Sequence, residues 1–173
     1  WDVAHDNFYD AATNNITASP AHGIAFVINS HIQDAYKAIH AFDSFDVIGS
    51  NTGGGIVYAK DNVFENNEVA IQLDRFYAKA TSTLKNPQKG EIDGNDFVNS
   101  APFIGNPGVT YQHLVLNRSQ GVKILRNTFR TSNPDFTSKQ KGTGIVAFNT
   151  DTKIGELVAA STAYSNTFNN LYK

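Results

Sequence analysis

One short string recurs along this chain at a nearly constant interval. It is Asn-x-Phe, at Asn62-Val63-Phe64, Asn95-Asp96-Phe97, Asn127-Thr128-Phe129 and Asn166-Thr167-Phe168. Two looser copies precede it, Asn29-Ser30-His31-Ile32 and Asn7-Phe8. The apolar anchors are therefore Phe8, Ile32, Phe64, Phe97, Phe129 and Phe168, separated by 24, 32, 33, 32 and 39 residues. A self-similar period of roughly 20–50 residues is the mark of a repeat architecture, in which each unit buries its apolar face only against its neighbours.

A second regularity accompanies the first. Seven residues after four of the anchors stands another apolar residue: Ile39, Ile71, Ile104 and Phe136. Turn formers lie between, such as Glu65-Asn66-Asn67, and short strand-like runs lead into the anchors, such as Ile56-Val57-Tyr58-Ala59 and Val122-Lys123-Ile124-Leu125. Each unit reads as strand, Asn-rich corner, strand, variable loop, strand. This predicts an all-β fold, a right-handed parallel β-helix of about five to six coils. Parallel strands about 4.8 Å apart would stack the anchors along the interior. A corner Asn tolerates left-handed backbone geometry, and its amide can pair with the equivalent Asn of the next coil.

Composition agrees. Asn occurs nineteen times, and it is poor in helices and in ordinary strands, so repeated corners are where it belongs. No segment holds the i, i+3, i+4, i+7 apolar stripe of a helix without Gly, Pro or Asn breaking it. A β-sandwich also shows short strands with turn signals, but it does not predict the repeated block with its offset of seven. Fourteen Lys and Arg against sixteen Asp and Glu leave a net charge of −2, which gives no field for nucleic acid. No apolar run reaches membrane-span length. Cys is absent, which removes disulfides, thiolate metal sites and cysteine nucleophiles, and Met is absent too. The organisation expected is one β-helix unit over 1–173, with a weak first coil in 1–29 and clearer coils in 30–173. A chain with no initiator Met that stops inside a repeat block is expected to be a piece whose ends are covered by further coils or a protein partner.

The block from Val57 to Ile71 and the run Val122-Lys123-Ile124-Leu125-Arg126-Asn127-Thr128-Phe129 resemble coils of the pectate-lyase-like right-handed β-helix superfamily. The texture of Asn-Thr-Phe and Phe168-Asn169-Asn170-Leu171-Tyr172 resembles β-helix segments of large secreted or surface proteins of the Bacteroidota, often cargo of the type 9 secretion system. That resemblance implies a secreted or cell-surface location. The superfamily's catalytic signatures are missing. Arg126 and Arg130 flank Phe129 without the proline of the lyase motif, and Asn149-Thr150-Asp151 lacks the acid pair and later His of the hydrolase motif. No catalytic residue is assigned.

The stretch best suited to a ligand starts at Arg75. It carries Arg75, Phe76, Tyr77, Lys79, Lys85 and Lys89 and has no acid after Asp74. Aromatic rings beside cations stack on sugar faces and pair with uronate or sulfate groups. A neighbouring coil adds Tyr111 and His113. The candidate glycan-binding residues are therefore Arg75, Phe76, Tyr77, Lys79, Tyr111 and His113. Asp43, Asp46 and Asp74 read as loop acids, the five His residues lack metal-ligand spacing, and Ser119 has no nucleophile elbow. Gly53-Gly54-Gly55 reads as a tight turn rather than a phosphate cradle. No metal and no cofactor is called for. The expected function is a non-catalytic segment presenting an adhesin-type or glycan-binding surface to a polysaccharide or cell-surface glycan. The alternative is a polysaccharide lyase or epimerase whose catalytic coils lie partly outside this chain.

Overall fold

The computed structural model of the protein describes residues 2–4, 8–10, 15–17, 24–42, 56–76, 90–155, 157–158 and 162–172. Strand β1 spans Asp2–Ala4, and β2 (Phe8–Asp10) and β3 (Asn15–Thr17) form an antiparallel pair. The next turn is built from β4 (Ile24–Ile28), β5 (His31–Gln33) and β6 (Lys37–Phe42). The following one has β7 (Ile56–Lys60), β8 (Val63–Glu65) and β9 (Val69–Asp74). Then come β10 (Glu91–Asp93), β11 (Asp96–Asn99) and β12 (Gln112–Asn117). The turn after that has β13 (Gln120–Leu125), β14 (Thr128–Thr131), a single helical turn α1 (Ser138–Lys141) and β15 (Thr143–Phe148). Last are β16 (Asp151–Ile154), the hairpin pair β17 (Leu157–Val158) and β18 (Thr162–Ala163), and β19 (Thr167–Asn169).

Three parallel five-stranded sheets result, with orders β1-β6-β9-β12-β15, β4-β7-β10-β13-β16 and β5-β8-β11-β14-β19. The chain visits the second sheet, the third, then the first, and repeats. This is an all-β parallel solenoid, as the repeat predicts. Among the described residues four consecutive turns, β4–β6 to β13–β15, carry a strand in every sheet, against the five to six coils expected of the whole chain. Phe8 opens β2 of the antiparallel β2–β3 pair, and Asn7 lies outside the described residues. Among the described residues no helix is long and apolar enough to cross a membrane.

The anchors stack as the period requires. Ile32, Phe64, Phe97, Phe129 and Phe168 occupy one register column. Their rings lie 5.0, 4.7 and 5.0 Å apart with interplanar angles of 11°, 6° and 8°. That distance is the strand spacing itself, so the sheet imposes the stack and the stack fills the interior. Phe64, Phe97 and Phe129 are buried within one continuous apolar core.

The offset of seven holds for two turns only. Ile39 and Ile71 share a column and are buried, but the next members of that column are Leu114 and Ile145. Segments 100–111 and 132–142 are inserted at this corner. They leave Ile104 exposed and put Phe136 in a capped loop, beside the Thr137–Gln140 capping box of α1. Insertions at a corner cost little loop entropy and leave every ladder intact.

The corner geometry also differs from expectation. Positive φ falls on the residue before four of the five ladder positions, at Asn29 (50°), Asp61 (53°), Gly94 (67°) and Arg126 (53°), but not before Asn166. The Asn that follows keeps ordinary backbone angles and turns its amide inward. Asn62, Asn95 and Asn127 are buried and linked rung to rung by side-chain hydrogen bonds of 2.9, 2.9 and 3.0 Å that end on Asn166.

Candidate functional site

Strands of the first sheet alternate between interior and outer face. Ala41, Leu73 and Leu116 point into the core and are buried, while His40, Gln72, Asp74 and Asn117 are partly exposed. The outward side chains converge on one carboxylate. His40 Nε2 lies 3.0 Å from Asp74 Oδ2, Gln72 Nε2 donates to the same oxygen at 2.5 Å, and Asn117 Nδ2 donates to Asp74 Oδ1 at 3.4 Å. A carboxylate only accepts, so His40 carries its proton on Nε2 in this pairing. His40 and Asp74 retain about a fifth of their side-chain surface each, 19% and 23%. The next residue is Arg75, which turns the corner at φ 50° while its backbone N–H donates to the Asn117 carbonyl at 2.7 Å. Planar hydrogen-bonding groups thus line a flat sheet face beside a cation.

The four of the six predicted glycan residues that the structure describes do not gather on one surface. Arg75 is half-buried at the edge of the Asp74 cluster. Phe76 is fully buried in the core, and its carbonyl accepts from Gln120 N–H. Tyr77 and Lys79 lie outside the described residues, as do Lys85 and Lys89. Tyr111 is buried, with its hydroxyl donating to the Ala101 carbonyl at 2.9 Å. His113 is buried between the interior rings, its centroid 6.0 Å from Phe97 and 6.1 Å from Phe129. Burial pushes its imidazole down to about 3, against a weaker upward pull from Asp96. Its Nε2 has no hydrogen-bond partner. Phe76, Tyr111 and His113 therefore serve the interior and offer no ring to a sugar. Sequence alone does not distinguish an aromatic that stacks on a ligand from one that stacks on the next coil.

The remaining chemistry-bearing residues also take structural positions. Ser119 is buried and donates to the Leu73 carbonyl at 2.8 Å. Arg126 forks onto Asp93, with Nε–Oδ1 at 2.7 Å, and its guanidinium stands 5.1 Å over the Tyr164 ring. Arg130 forks onto Asp96, with Nη2–Oδ2 at 2.7 Å. Each pair joins successive turns, so both arginines act as cross-strand fasteners on the outer faces. His31 meets Glu65 at 3.0 Å in the same manner. On the second sheet, burial raises Glu91 above the usual carboxylate range, Asp93 adds to that rise, and Lys123, Lys60 and Arg126 oppose it. Asp43, Asp46, Gly53, Gly54 and Gly55 lie outside the described residues. Among the described residues no group of three or more His, Asp or Glu is placed to hold a metal ion.

What sequence reasoning missed is the convergence of His40, Gln72 and Asn117 on Asp74. The signal was present: Gln72 and Asp74 are two apart on one strand face, and His40 falls opposite Gln72 in the adjacent strand. Comparison with known proteins gave no matching family model, no matching curated protein and no matching solved structure.

Proposed function

We propose that this chain is a non-catalytic segment of a secreted or cell-surface β-helix protein that binds glycan on the outer face of its first sheet. The observation that carries the reading is the cluster of His40, Gln72 and Asn117 around Asp74, with Arg75 at its border. Planar amides, an imidazole and a carboxylate on a flat surface match the hydroxyls of a sugar ring, and Arg75 suits a uronate or sulfate. Tyr77 and Lys79, which follow Arg75 closely in the sequence, belong to the same proposal. Membership of the pectate-lyase-like superfamily and export as type 9 secretion cargo are further parts of it. They draw on the three-sheet parallel solenoid and its Asn ladder.

The test is calorimetric titration with pectate, alginate and sulfated polysaccharides, beside Asp74→Ala and Arg75→Ala variants. Saturable binding that both variants weaken at least tenfold, with melting temperatures held, supports the reading. Absence of binding, or binding indifferent to both changes, overturns it.

The alternative, a polysaccharide lyase or epimerase, draws on the His40–Asp74 pair, since a carboxylate that fixes an imidazole tautomer is the usual support of a general base. The lyase form predicts unsaturated uronide product from the same polysaccharides, and the epimerase form predicts inverted uronate residues in an uncut chain, each abolished by His40→Ala.

A further inference from the structure

We propose that the Asp93–Gly94 bond is a latent site of backbone isomerisation that the Arg126 fork holds shut. It is the single Asp–Gly step in the chain, and no Asn–Gly step occurs. A glycine leaves its backbone nitrogen unshielded by a Cβ, and that nitrogen can attack the carboxyl carbon of the aspartate before it. The N–Cγ bond forms, a C–O bond breaks and water leaves, which closes a cyclic imide. Water re-enters at either imide carbonyl and returns aspartate or isoaspartate, whose backbone runs through the former side chain. Over the two steps composition and mass are unchanged.

The fold opposes the first step in three ways. The peptide unit is pinned from both neighbouring turns: the Asp93 carbonyl accepts from Asp61 N–H at 3.1 Å, and Gly94 N–H donates to the Leu125 carbonyl at 3.0 Å. Turning the nitrogen toward the carboxyl group breaks both bonds. Side chains also stand perpendicular to a strand, so the Asp93 carboxylate lies off the outer face of the second sheet while the Gly94 nitrogen lies within it. Ile92, next to it on β10, points the other way into the core. Finally Arg126, one turn on, engages both oxygens, with Nε–Oδ1 at 2.7 Å and Nη2 on Oδ2, and the Asp93 side chain is only 2% exposed. The Tyr164 ring, 5.1 Å from the guanidinium carbon, braces the fork from its other side. The carboxyl group reaches the nitrogen only by giving up both charge-assisted bonds.

The combination is peculiar to this turn. The equivalent corner residues Asn29, Asp61 and Arg126 follow Ile28, Lys60 and Leu125, so no other described corner of this column sets an acid before a glycine. Here the glycine leaves room that Asp61 Oδ1 fills, 2.5 Å from where a Cβ would stand. Isoaspartate adds one carbon to the backbone just ahead of Asn95 and Phe97. Asn95 would then slip against Asn62 and Asn127, and Phe97 against Phe64 and Phe129. Isomerisation at Asp93 thus loosens the ladder and the ring stack together, and loss of the Arg126 fork is the event that permits it.

The test follows isoaspartate at residue 93 by peptide mapping, with fragmentation that distinguishes the two linkages, during long incubation at neutral pH and body temperature. The samples are the unmodified 173-residue chain, folded and in urea, and the Arg126→Gln, Arg126→Lys and Arg130→Gln variants. Arg130→Gln removes the comparable fork on Asp96 and leaves Asp93 untouched. A reaction that proceeds from an opened state tracks the population of that state, so Arg126→Gln should accumulate isoaspartate at least about tenfold faster than the folded unmodified chain. Arg126→Lys, which keeps a cation without the fork, should fall between them, and the chain in urea should be fastest. Arg130→Gln should match the unmodified chain. Equal rates for the unmodified chain and both Arg126 variants, or an acceleration by Arg130→Gln as large as that by Arg126→Gln, would overturn the role of the fork. A chain in urea that forms no isoaspartate at residue 93 would overturn the site itself.

Discussion

Asn95 and Asn127 are joined twice, since both the backbone N–H and the Nδ2 of Asn95 donate to Asn127 Oδ1, each at 2.9 Å. Asn95 gives its other Nδ2 hydrogen to the Ala59 carbonyl at 2.9 Å and accepts two hydrogen bonds from Asn62 on its own Oδ1. Every valence of this buried amide is used. Neighbouring turns are thereby fixed to one another at the corner, where no strand pairing does so.

Asn95→Ala strips partners from the Ala59 carbonyl and from two donors on Asn62. An unpaired buried group costs about 1–3 kcal/mol, so the loss should be at least about 2 kcal/mol in urea unfolding. Asn95→Asp should cost more, because a buried anionic oxygen would face the Ala59 and Asn127 oxygens. Asn169→Ala, on an exposed position of β19, should stay within about 0.5 kcal/mol. Equal midpoints for Asn95→Ala and Asn169→Ala would remove the ladder as a source of stability.

Phe97 lies between Phe64 and Phe129 with rings 5.0 and 4.7 Å away and no exposed surface. Phe97→Ala should destabilise by about 3–5 kcal/mol through the cavity it opens, and Phe97→Leu by less. Phe168→Ala should cost clearly less than Phe97→Ala in isolated chains, because half of that ring already faces water. Chemical denaturation of the three variants checks the order. A Phe168 cost equal to that of Phe97 would mean that the end ring is as enclosed as the middle one.

Gly94 holds the corner at φ +67°, and a Cβ there would stand 2.5 Å from Asp61 Oδ1. The equivalent corner residues Asn29, Asp61 and Arg126 keep positive φ with side chains present. The conformation is therefore tolerable and the crowding lies against a movable side chain. Gly94→Asn should lose about 1 kcal/mol or less, while β-branched Gly94→Val should lose about 2 kcal/mol or more. Thermal melts of the pair separate the two cases, and equal losses would show that contact with Asp61 rather than backbone strain sets the cost.

The same comparisons show which parts of the fold were legible in the residues. Asn-x-Phe marks its corner reliably because the distance from ladder amide to stacked ring is fixed within one strand. The offset to the next core residue is not fixed: segments 100–111 and 132–142 leave the corner between anchor and follower, so Leu114 and Ile145 replace Ile104 and Phe136 in the column. Nor does the sequence say which of two adjacent corner residues takes positive φ, since Asn suits both tasks. Of the site, Arg75 and Asp74 stood out by charge. The partners His40, Gln72 and Asn117 did not, because they come together only through the register of three strands.

His113 makes the fold sensitive to acid. Its column holds Ala38, Ala70 and Gly144 in the other turns, so the imidazole is the one bulky side chain of that column, set against Phe97 and Phe129. It titrates near 3 when folded against 6.5 when free, with burial as the first cause. Between those values the unfolded chain binds a proton at His113 and the folded chain does not. Stability from this group is complete above pH 6.5 and falls as pH drops toward 3, by on the order of 4–5 kcal/mol over the whole interval. The informative quantity is a difference between two chains that share every other titrating group. His113→Leu keeps an apolar side chain of similar bulk between Phe97 and Phe129 and removes the titration. Urea midpoints should then fall more steeply for the unmodified chain than for His113→Leu between pH 6.5 and 4, the gap widening by about 1.4 kcal/mol per pH unit. Parallel curves would show that His113 takes up its proton inside the folded solenoid.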